Sequence, residues 1–507
     1  MAVKDPLGRT RSILDPIHGL IRLTETEMAV VDSPLFQRLQ CIRQNGLLYR
    51  VFPAATHTRF EHSLGALFVA HGMLNSLALN STVGLTKGNV RQRRRAKAGE
   101  AVSFPDSEAK EWSFLYEVTR LAALTHDIGH GPLSHTFDAF SPSRDDLNLV
   151  LKSKELKALV PLHDFILNWG TDWTKGPRHK KNRRVPHEIV SCLFFTKIWH
   201  DLRGDPETAL AVCASILGEH AGVSAASLLR SRIARAWVPL IHDIVASAPA
   251  DADRMDYLER DSRAIGVTYG LFDRNRVLKS LLCYRDQNAN EPAYRLGVKY
   301  SGLQAIENLM QARYELFAQV YYHKTNRAIS RMLDAIGSIA DKEMNLFGKN
   351  STLESWIWLY LEFSDERFFH SLLGKRAVDT PQTIRSLAEQ IHNRHFWKRI
   401  LDPTMKGEAK NILLKLRKKF PRWRNKIVLD DTKPRALKDL NRGARLLSRH
   451  GAAAYEVGKV GTWTRVSTII QALDKADRRS VRIYFEDTDA VTAKQIREYA
   501  LELAFDR

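Results

Sequence analysis

Leu121-Ala-Ala-Leu-Thr-His-Asp-Ile-Gly-His-Gly-Pro-Leu-Ser-His-Thr-Phe-Asp138 is the stretch on which the reading of the whole chain turns. Its apolar first half predicts a buried helix, and that helix carries His126 and Asp127 into an interior. An adjacent His-Asp pair offers one imidazole nitrogen and one carboxylate oxygen to the same point in space. Left unpaired inside a protein, such groups cost several kcal/mol. A divalent cation partners both at once. An arbitrary His-Asp dipeptide is more often a helix cap with solvent-facing side chains, so the rest of the chain must decide.

The 507 residues allow two or three domains, and 44% apolar with 9% aromatic content supports a large core. No window supplies the ~18 uninterrupted apolar residues of a membrane span, and the N-terminus lacks a signal peptide's apolar core. Cys41, Cys192, Cys213 and Cys283 are widely spaced and form no CxxC pair, which fits reduced structural thiols. A cytoplasmic protein with no membrane association is the expectation. Lys and Arg number 77 against 57 Asp and Glu, a formal balance of +20. That charge favours polyanionic partners, nucleic acid or nucleotide phosphates, without choosing between them.

Helical periodicity dominates Ser63–Leu79, Glu117–Asp127, His187–Leu202, Trp237–Ala246 and Gly302–Ile336. Strand-like stretches are few, the first being Gly19–Leu23 after Asp15-Pro-Ile-His18. The fold class expected is mainly α: a helical core over residues 10–340 and a smaller, basic C-terminal α+β region over 341–507. Two cationic stretches, about 87–111 and 171–184, interrupt the core and read as surface insertions. In the C-terminal region, Lys406–Arg424 interleaves cations with aromatics. There Ser480–Glu486 alternates like a strand, and Thr492–Phe505 reads as a terminal amphipathic helix.

Three other segments look like companions of His126-Asp127. His62 opens a helix after Arg59 and Glu61; Ala252–Asp261 carries Asp253, Asp256 and Asp261; and Pro186-His-Glu188 holds His187. A His, a His-Asp pair and a distant Asp can give two imidazoles and two carboxylates to one ion, with positions left for water and a substrate oxygen. Such a donor set suits Mn, Fe, Zn or Mg.

Four stretches, in this order, resemble the HD-domain dNTP triphosphohydrolases, the group that includes the animal SAM- and HD-domain dNTPase and bacterial dGTPases. They are Asp15-Pro-Ile-His-Gly19, Asp32-Ser-Pro-Leu-Phe-Gln-Arg-Leu39, Phe52–Gly65 and Thr125–His135. The likeness covers about residues 12–75, 118–140, 250–280 and 310–330, and no SAM domain is visible. It implies an HD-domain helical phosphohydrolase core and a divalent metal held by His62, His126, Asp127 and Asp253. It also implies cleavage of a dNTP to deoxynucleoside and triphosphate. His130, one helical turn beyond His126, would share its face, and Asp138 can orient an imidazole. The resemblance makes His130, Asp138 and His187 the proton-handling group, with His187 or His130 as general acid. The rival reading of His187 is a helix-start histidine on a solvated surface.

The same resemblance places Arg59 and Arg313 on phosphate, with Arg254 standing where the family carries Lys. His135 falls near the triphosphate or base, and Gln44, Tyr257 and Asp261 fall on the sugar. Tyr321 packs on the deoxyribose, where lack of room at C2′ would exclude ribonucleotides. Asp32, Gln37, Asp273 and Arg276 look like parts of a regulatory pocket. However, Leu14 replaces an expected Asn, and Gln40 and Gln319 each replace an expected Arg, so activation by GTP in the family's manner is not expected. A homo-oligomer is expected, with a nucleotide or single-stranded nucleic acid as candidate effector. Rival readings are an HD-type nuclease or nucleotide phosphatase, and a nucleic-acid-binding regulator with a vestigial site. For the regulator, Trp423 among its cations could stack on bases, though a solvated helix is the simpler account.

Overall fold

The computed structural model of the chain describes residues 10–82, 100–105, 110–169, 184–286, 292–343, 352–374, 380–402, 406–432, 444–450, 454–457, 463–475, 480–487 and 489–505. The basic run 91–97 and most of 175–184 lie outside them. Mainly helical elements surround a single large core. Among the described residues no helix is long and apolar enough to cross a membrane.

Three helices carry the site. Arg59–Thr82 packs on Lys110–Thr125 and on Ala252–Ile265. The second of these is buried on every face from Val118 to Thr125, as its apolar run predicts. Its buried cation Arg120 is satisfied by both Glu27 oxygens (2.7 Å each) and by the Arg22 carbonyl (2.8 Å). This ties the helix to the antiparallel hairpin Thr10–Asp15/Gly19–Thr24 and to the capped helix Glu25–Val31. A buried, paired arginine of this kind fixes geometry more surely than it adds stability.

One expectation needs correction. The helix ends at Thr125, so His126 and Asp127 sit in the turn that follows and not on the helix. His130 therefore does not share a helical face with His126. Gly129 lets the turn that follows sit tightly against the start of the helix His187–Asp201, where a Cβ would overlap the His187 carbonyl and the Ser191 amide. The expected Gly302–Ile336 helix is likewise broken, into Leu303–Leu316, a π-helical Phe317–Tyr321 and Lys324–Glu343.

A five-stranded sheet runs in the order Ala454–Val457, Arg445–His450, Tyr294–Lys299, Leu281–Arg285, Ala101–Val102. All neighbours are antiparallel except Arg445–His450 with Tyr294–Lys299. The sheet and the large core, which includes Trp356, Phe368 and Trp463, both take residues from either side of position 340. A second core of Ile400, Leu416, Ile427, Ile483, Phe485 and Ile496 lies in the C-terminal α+β region. There the strands Lys398–Leu401, Ser480–Phe485 and Ile427–Thr432 pack with the helices Lys406–Lys419 and Ala490–Phe505. We propose that residues 10–340 and 341–507 form two regions joined through this shared core and sheet.

Asp365 links this later part to the site. It is 2% exposed and accepts the Leu133 amide (2.6 Å) and the Arg43 amide (2.9 Å). Burial pushes its carboxyl up to about 6, against the pull of those two amides and of Arg43. A raised carboxyl favours the folded state while protonated. Its contribution is complete below 3.8 and is lost as pH rises through about 6. In urea unfolding followed across that window, Asp365→Asn is expected to remove part of the fall in stability with rising pH. An unchanged slope would show that Asp365 does not titrate there.

Candidate metal centre

His62, in the first turn of Arg59–Thr82, is fully buried. Its Nδ1 lies 2.8 Å from an Asp256 carboxylate oxygen and donates to it, which leaves Nε2 as the nitrogen that faces the other carboxylates. His126 repeats the arrangement, with Nδ1 donating to the Ala123 carbonyl at 2.8 Å. Both Nε2 atoms are buried with no hydrogen-bond partner among the described residues. They face the same carboxylates: His62 Nε2 is 3.4 Å from Asp127 and 3.2 Å from Asp253, and His126 Nε2 is 3.5 Å and 3.7 Å from them.

Two buried imidazole nitrogens and two carboxylates, buried Asp127 and partly exposed Asp253, converge on one point and require positive charge between them. In the absence of an ion, protons must supply it. Burial opposes a charged His62, yet Asp253 and Asp256 push the imidazole up to about 10. His126 is raised against burial by Asp127 and Asp253. Burial would raise Asp127, but Arg59 and His126 hold it well below the carboxylate range. Two imidazoles and two carboxylates are also the donor set of a hard-to-borderline divalent ion. The residues fit the metal.

A second group adjoins the first. His130 and His187 stack with centroids 3.6 Å apart, and His135 meets both edge-on. His130 Nε2 is 3.4 Å, and His187 Nε2 3.8 Å, from Asp127 Oδ1. The largely exposed His135 lies 3.8 Å from Asp138. These four residues are close enough to share an ion themselves. Burial, Arg59 and His187 hold His130 well below its ordinary range, as the neutral imidazole. His187 arrives despite its distance in sequence because Ser191, one turn later, docks on the His126 turn. The Ser191 hydroxyl donates to the His126 carbonyl (2.6 Å) and accepts the Gly129 amide (2.8 Å). From the other side, Arg38 donates to the Ile128 and His130 carbonyls at 2.5 and 2.7 Å.

Arg59 pairs directly with Asp127 and donates to the Ser134 hydroxyl (2.9 Å) and the Gln44 carbonyl (3.3 Å). Leu133 and Ser134 adopt left-handed backbone angles (φ 60° and 54°), strain that this network and Asp365 hold in place. The Gln44 amide oxygen is buried with no partner among the described residues. Arg254 folds back onto Asp251, which caps its helix. Asp261 accepts from His57 (2.7 Å), Asn45 (2.7 Å) and Tyr321 (2.5 Å), while Tyr257 and the buried Arg313 lie within electrostatic reach. Tyr321 ends the π-helical stretch, a distortion frequent at functional sites.

Asn45, His57, Asp256, Ser191 and Arg38 went unassigned in the sequence. Their signal was proximity to assigned motifs, as with Asp256 three positions after Asp253. At the regulatory positions Leu14, Asp32, Gln40, Asp273, Arg276 and Gln319 are exposed. Gln37 donates to the Val31 carbonyl.

No family model matches the chain. An uncharacterised protein of Methanocaldococcus jannaschii is 29% identical over 336 residues, 66% of this chain and 51% of that protein. Human deoxynucleoside triphosphate triphosphohydrolase SAMHD1 is 26% identical over 409 residues, 78% of this chain and 56% of that protein. A protein of Acanthamoeba polyphaga mimivirus, named for its HD domain, is 27% identical over 332 residues, 64% and 57% of the two chains. The chain thus spans little more than half the length of these relatives. The crystal structure of a hypothetical protein from Aquifex aeolicus superposes with a TM-score of 0.62 at 23% identity. That match covers 97% of this chain and 100% of the other, and shows a shared fold. The chain is therefore similar to HD-domain proteins, a dNTP triphosphohydrolase among them.

Metal binding at this site should stabilise the fold. Saturation at a hundredfold excess over Kd is expected to add ~2.7 kcal/mol, read as a Tm increase that chelation reverses. In His126→Ala the increase should vanish; if it persists, the ion sits elsewhere.

Proposed function

We propose that this chain is a divalent-metal-dependent phosphohydrolase of the HD type. Its proposed reaction is hydrolysis of deoxynucleoside triphosphates to deoxynucleoside and inorganic triphosphate. The observation that carries the reading is the pair of orphaned Nε2 atoms of His62 and His126 facing Asp127 and Asp253, with Arg59 and the histidine pair alongside.

When bound, the divalent ion supplies Lewis-acid polarisation of a phosphoryl oxygen and lowers the pKa of a water. The protein's own groups do the rest. Arg59, and in the same role Arg254 and Arg313, neutralise phosphate charge, and Arg59 exchanges Asp127 for the substrate. His135 sits at the exposed edge of the histidine group, where the triphosphate or base would lie. Water oxygen bonds to the α-phosphorus, the bond from that phosphorus to O5′ breaks, and O5′ takes a proton. His187, stacked on a His130 that is held neutral, is the better placed of the two to deliver a proton to O5′. Asp138 orients this group through His135. Asp261, held by His57 and Asn45, faces the sugar with Gln44, Tyr257 and Tyr321. Homo-oligomerisation, and control by a nucleotide or single-stranded nucleic acid, belong to the same proposal.

A nuclease reading draws on the exposed cations Lys410, Lys415, Lys418, Lys419, Arg422 and Arg424. Trp423 supports it less, since it packs edge-on against Phe485 and lies under Arg422 and Lys426. The discriminating experiment incubates the protein with each dNTP, each rNTP and single-stranded DNA, with Mn or Mg, and resolves the products. Deoxynucleoside plus triphosphate is expected. Asp253→Ala should lower turnover by about 10³-fold or more, the loss of several kcal/mol. Shortened DNA with intact dNTPs would replace this reading with the nuclease; DNA retention without turnover under either metal would point to a binding protein. Tyr321→Phe, which removes a hydrogen bond to a carboxylate, should cost ~10- to 100-fold in kcat/KM with dNTPs. An undiminished kcat/KM would remove Tyr321 from the substrate site.

A further inference from the structure

We infer that His18, from the hairpin turn Asp15–Gly19, is a positioning residue for the ligand imidazole of His62, acting through Asp256, with Arg274 setting its tautomer. The inference rests on the metal reading of the site and not on the identity of the substrate.

Asp256 is fully buried and all its acceptor directions are filled. One oxygen accepts from His18 Nε2 (2.6 Å) and Arg260 Nη2 (3.0 Å), the other from His62 Nδ1 (2.8 Å) and Arg260 Nε (2.9 Å). A carboxylate gripped from four sides cannot rotate, so the His62 ring it receives is fixed in plane and tautomer. His62 Nε2 is thereby left as a lone pair aimed at Asp127 and Asp253.

His18 must donate for this to hold, and its other nitrogen ensures that it does. Arg274 Nη1 lies 3.0 Å from His18 Nδ1, and a guanidinium can only donate, so Nδ1 accepts and the proton resides on Nε2. Arg274 is itself anchored on Glu259 at 3.0 Å. The ring stacks on Phe68 with centroids 4.8 Å apart. One Asp15 oxygen accepts the Ile17 and His18 amides, and the other accepts Arg260 at 2.8 Å, so a single arginine braces both the turn and the carboxylate. The space is closed as well: a Cβ on Gly65 would overlap Asp256 and Arg260, which accounts for glycine in mid-helix three positions after His62.

The test uses full-length protein and the metal alone. Mn²⁺ affinity is measured by competition with a chelating dye for the wild-type chain, His18→Phe and His18→Gln. Melting in excess chelator reports the metal-free fold. Phenylalanine keeps the stack on Phe68 but has no N–H; glutamine restores an N–H near the position of Nε2. His18→Phe is expected to weaken Mn²⁺ binding ~10- to 100-fold, as loss of an outer hydrogen-bond partner does elsewhere. His18→Gln should recover most of it, with both metal-free melting curves close to wild type. Equal affinity in His18→Phe and wild type, or a glutamine variant as weak as phenylalanine, overturns the inference. Should His18→Phe not fold, ¹⁵N-histidine NMR of the wild-type protein decides: a proton on Nδ1 of His18 refutes the assignment and one on Nε2 supports it. Wild-type protein that takes up no Mn²⁺ sinks the metal reading itself, an outcome distinct from the others.

Discussion

The constraint on which the rest depends is charge balance in one buried space. The buried carboxylate of Asp127, the partly exposed one of Asp253 and two buried imidazole nitrogens, from His62 and His126, face one another. Like-charged and lone-pair-bearing groups so placed repel unless a cation or protons intervene. The fold holds this unfavourable arrangement by fixing the far side of every ring. His62 is held by Asp256, His126 by the Ala123 carbonyl, and the turn between helix and loop by Ser191 and Arg38.

Preorganisation of this kind explains where polar groups are spent. Arg120, Arg260 and Arg38 are large cations buried almost completely, each beneath an element that carries the site. The Arg120 and Arg260 ion pairs contribute little net stability, but they penalise every competing arrangement that would leave one member unpaired, and Arg38 does the same through two backbone carbonyls. The left-handed Leu133 and Ser134 belong to the same economy: local strain beside the histidine group, held by hydrogen bonds from Arg59 and to Asp365.

Much of this was legible in the sequence, for reasons that differ residue by residue. The helices Arg59–Thr82 and His187–Asp201 show as apolar periodicity, and the quartet His62, His126, Asp127 and Asp253 stands out because its members sit in ordered motifs. The turn at His126 was hidden because the contacts that hold it, at Gly129 and through Ser191, come from a segment far along the chain. Asn45 and His57 carry no spacing signal of their own; only the folded chain brings both onto Asp261. The strand Arg445–His450 escaped because its pairing partner lies in another part of the sequence.

That parallel pairing of Arg445–Leu447 with Gly297–Lys299 has a consequence for biosynthesis. A strand flanked by Leu281–Arg285 on one side has its other edge left open until a segment about 150 residues later emerges from the ribosome. Open edges recruit other strands. The nascent protein therefore passes through an interval in which Tyr294–Lys299 is a sticky edge, and fragments ending near residue 340 keep that edge permanently. Expression of such a fragment should be limited by aggregation at that edge, together with loss of Asp365 and of the core residues beyond position 340.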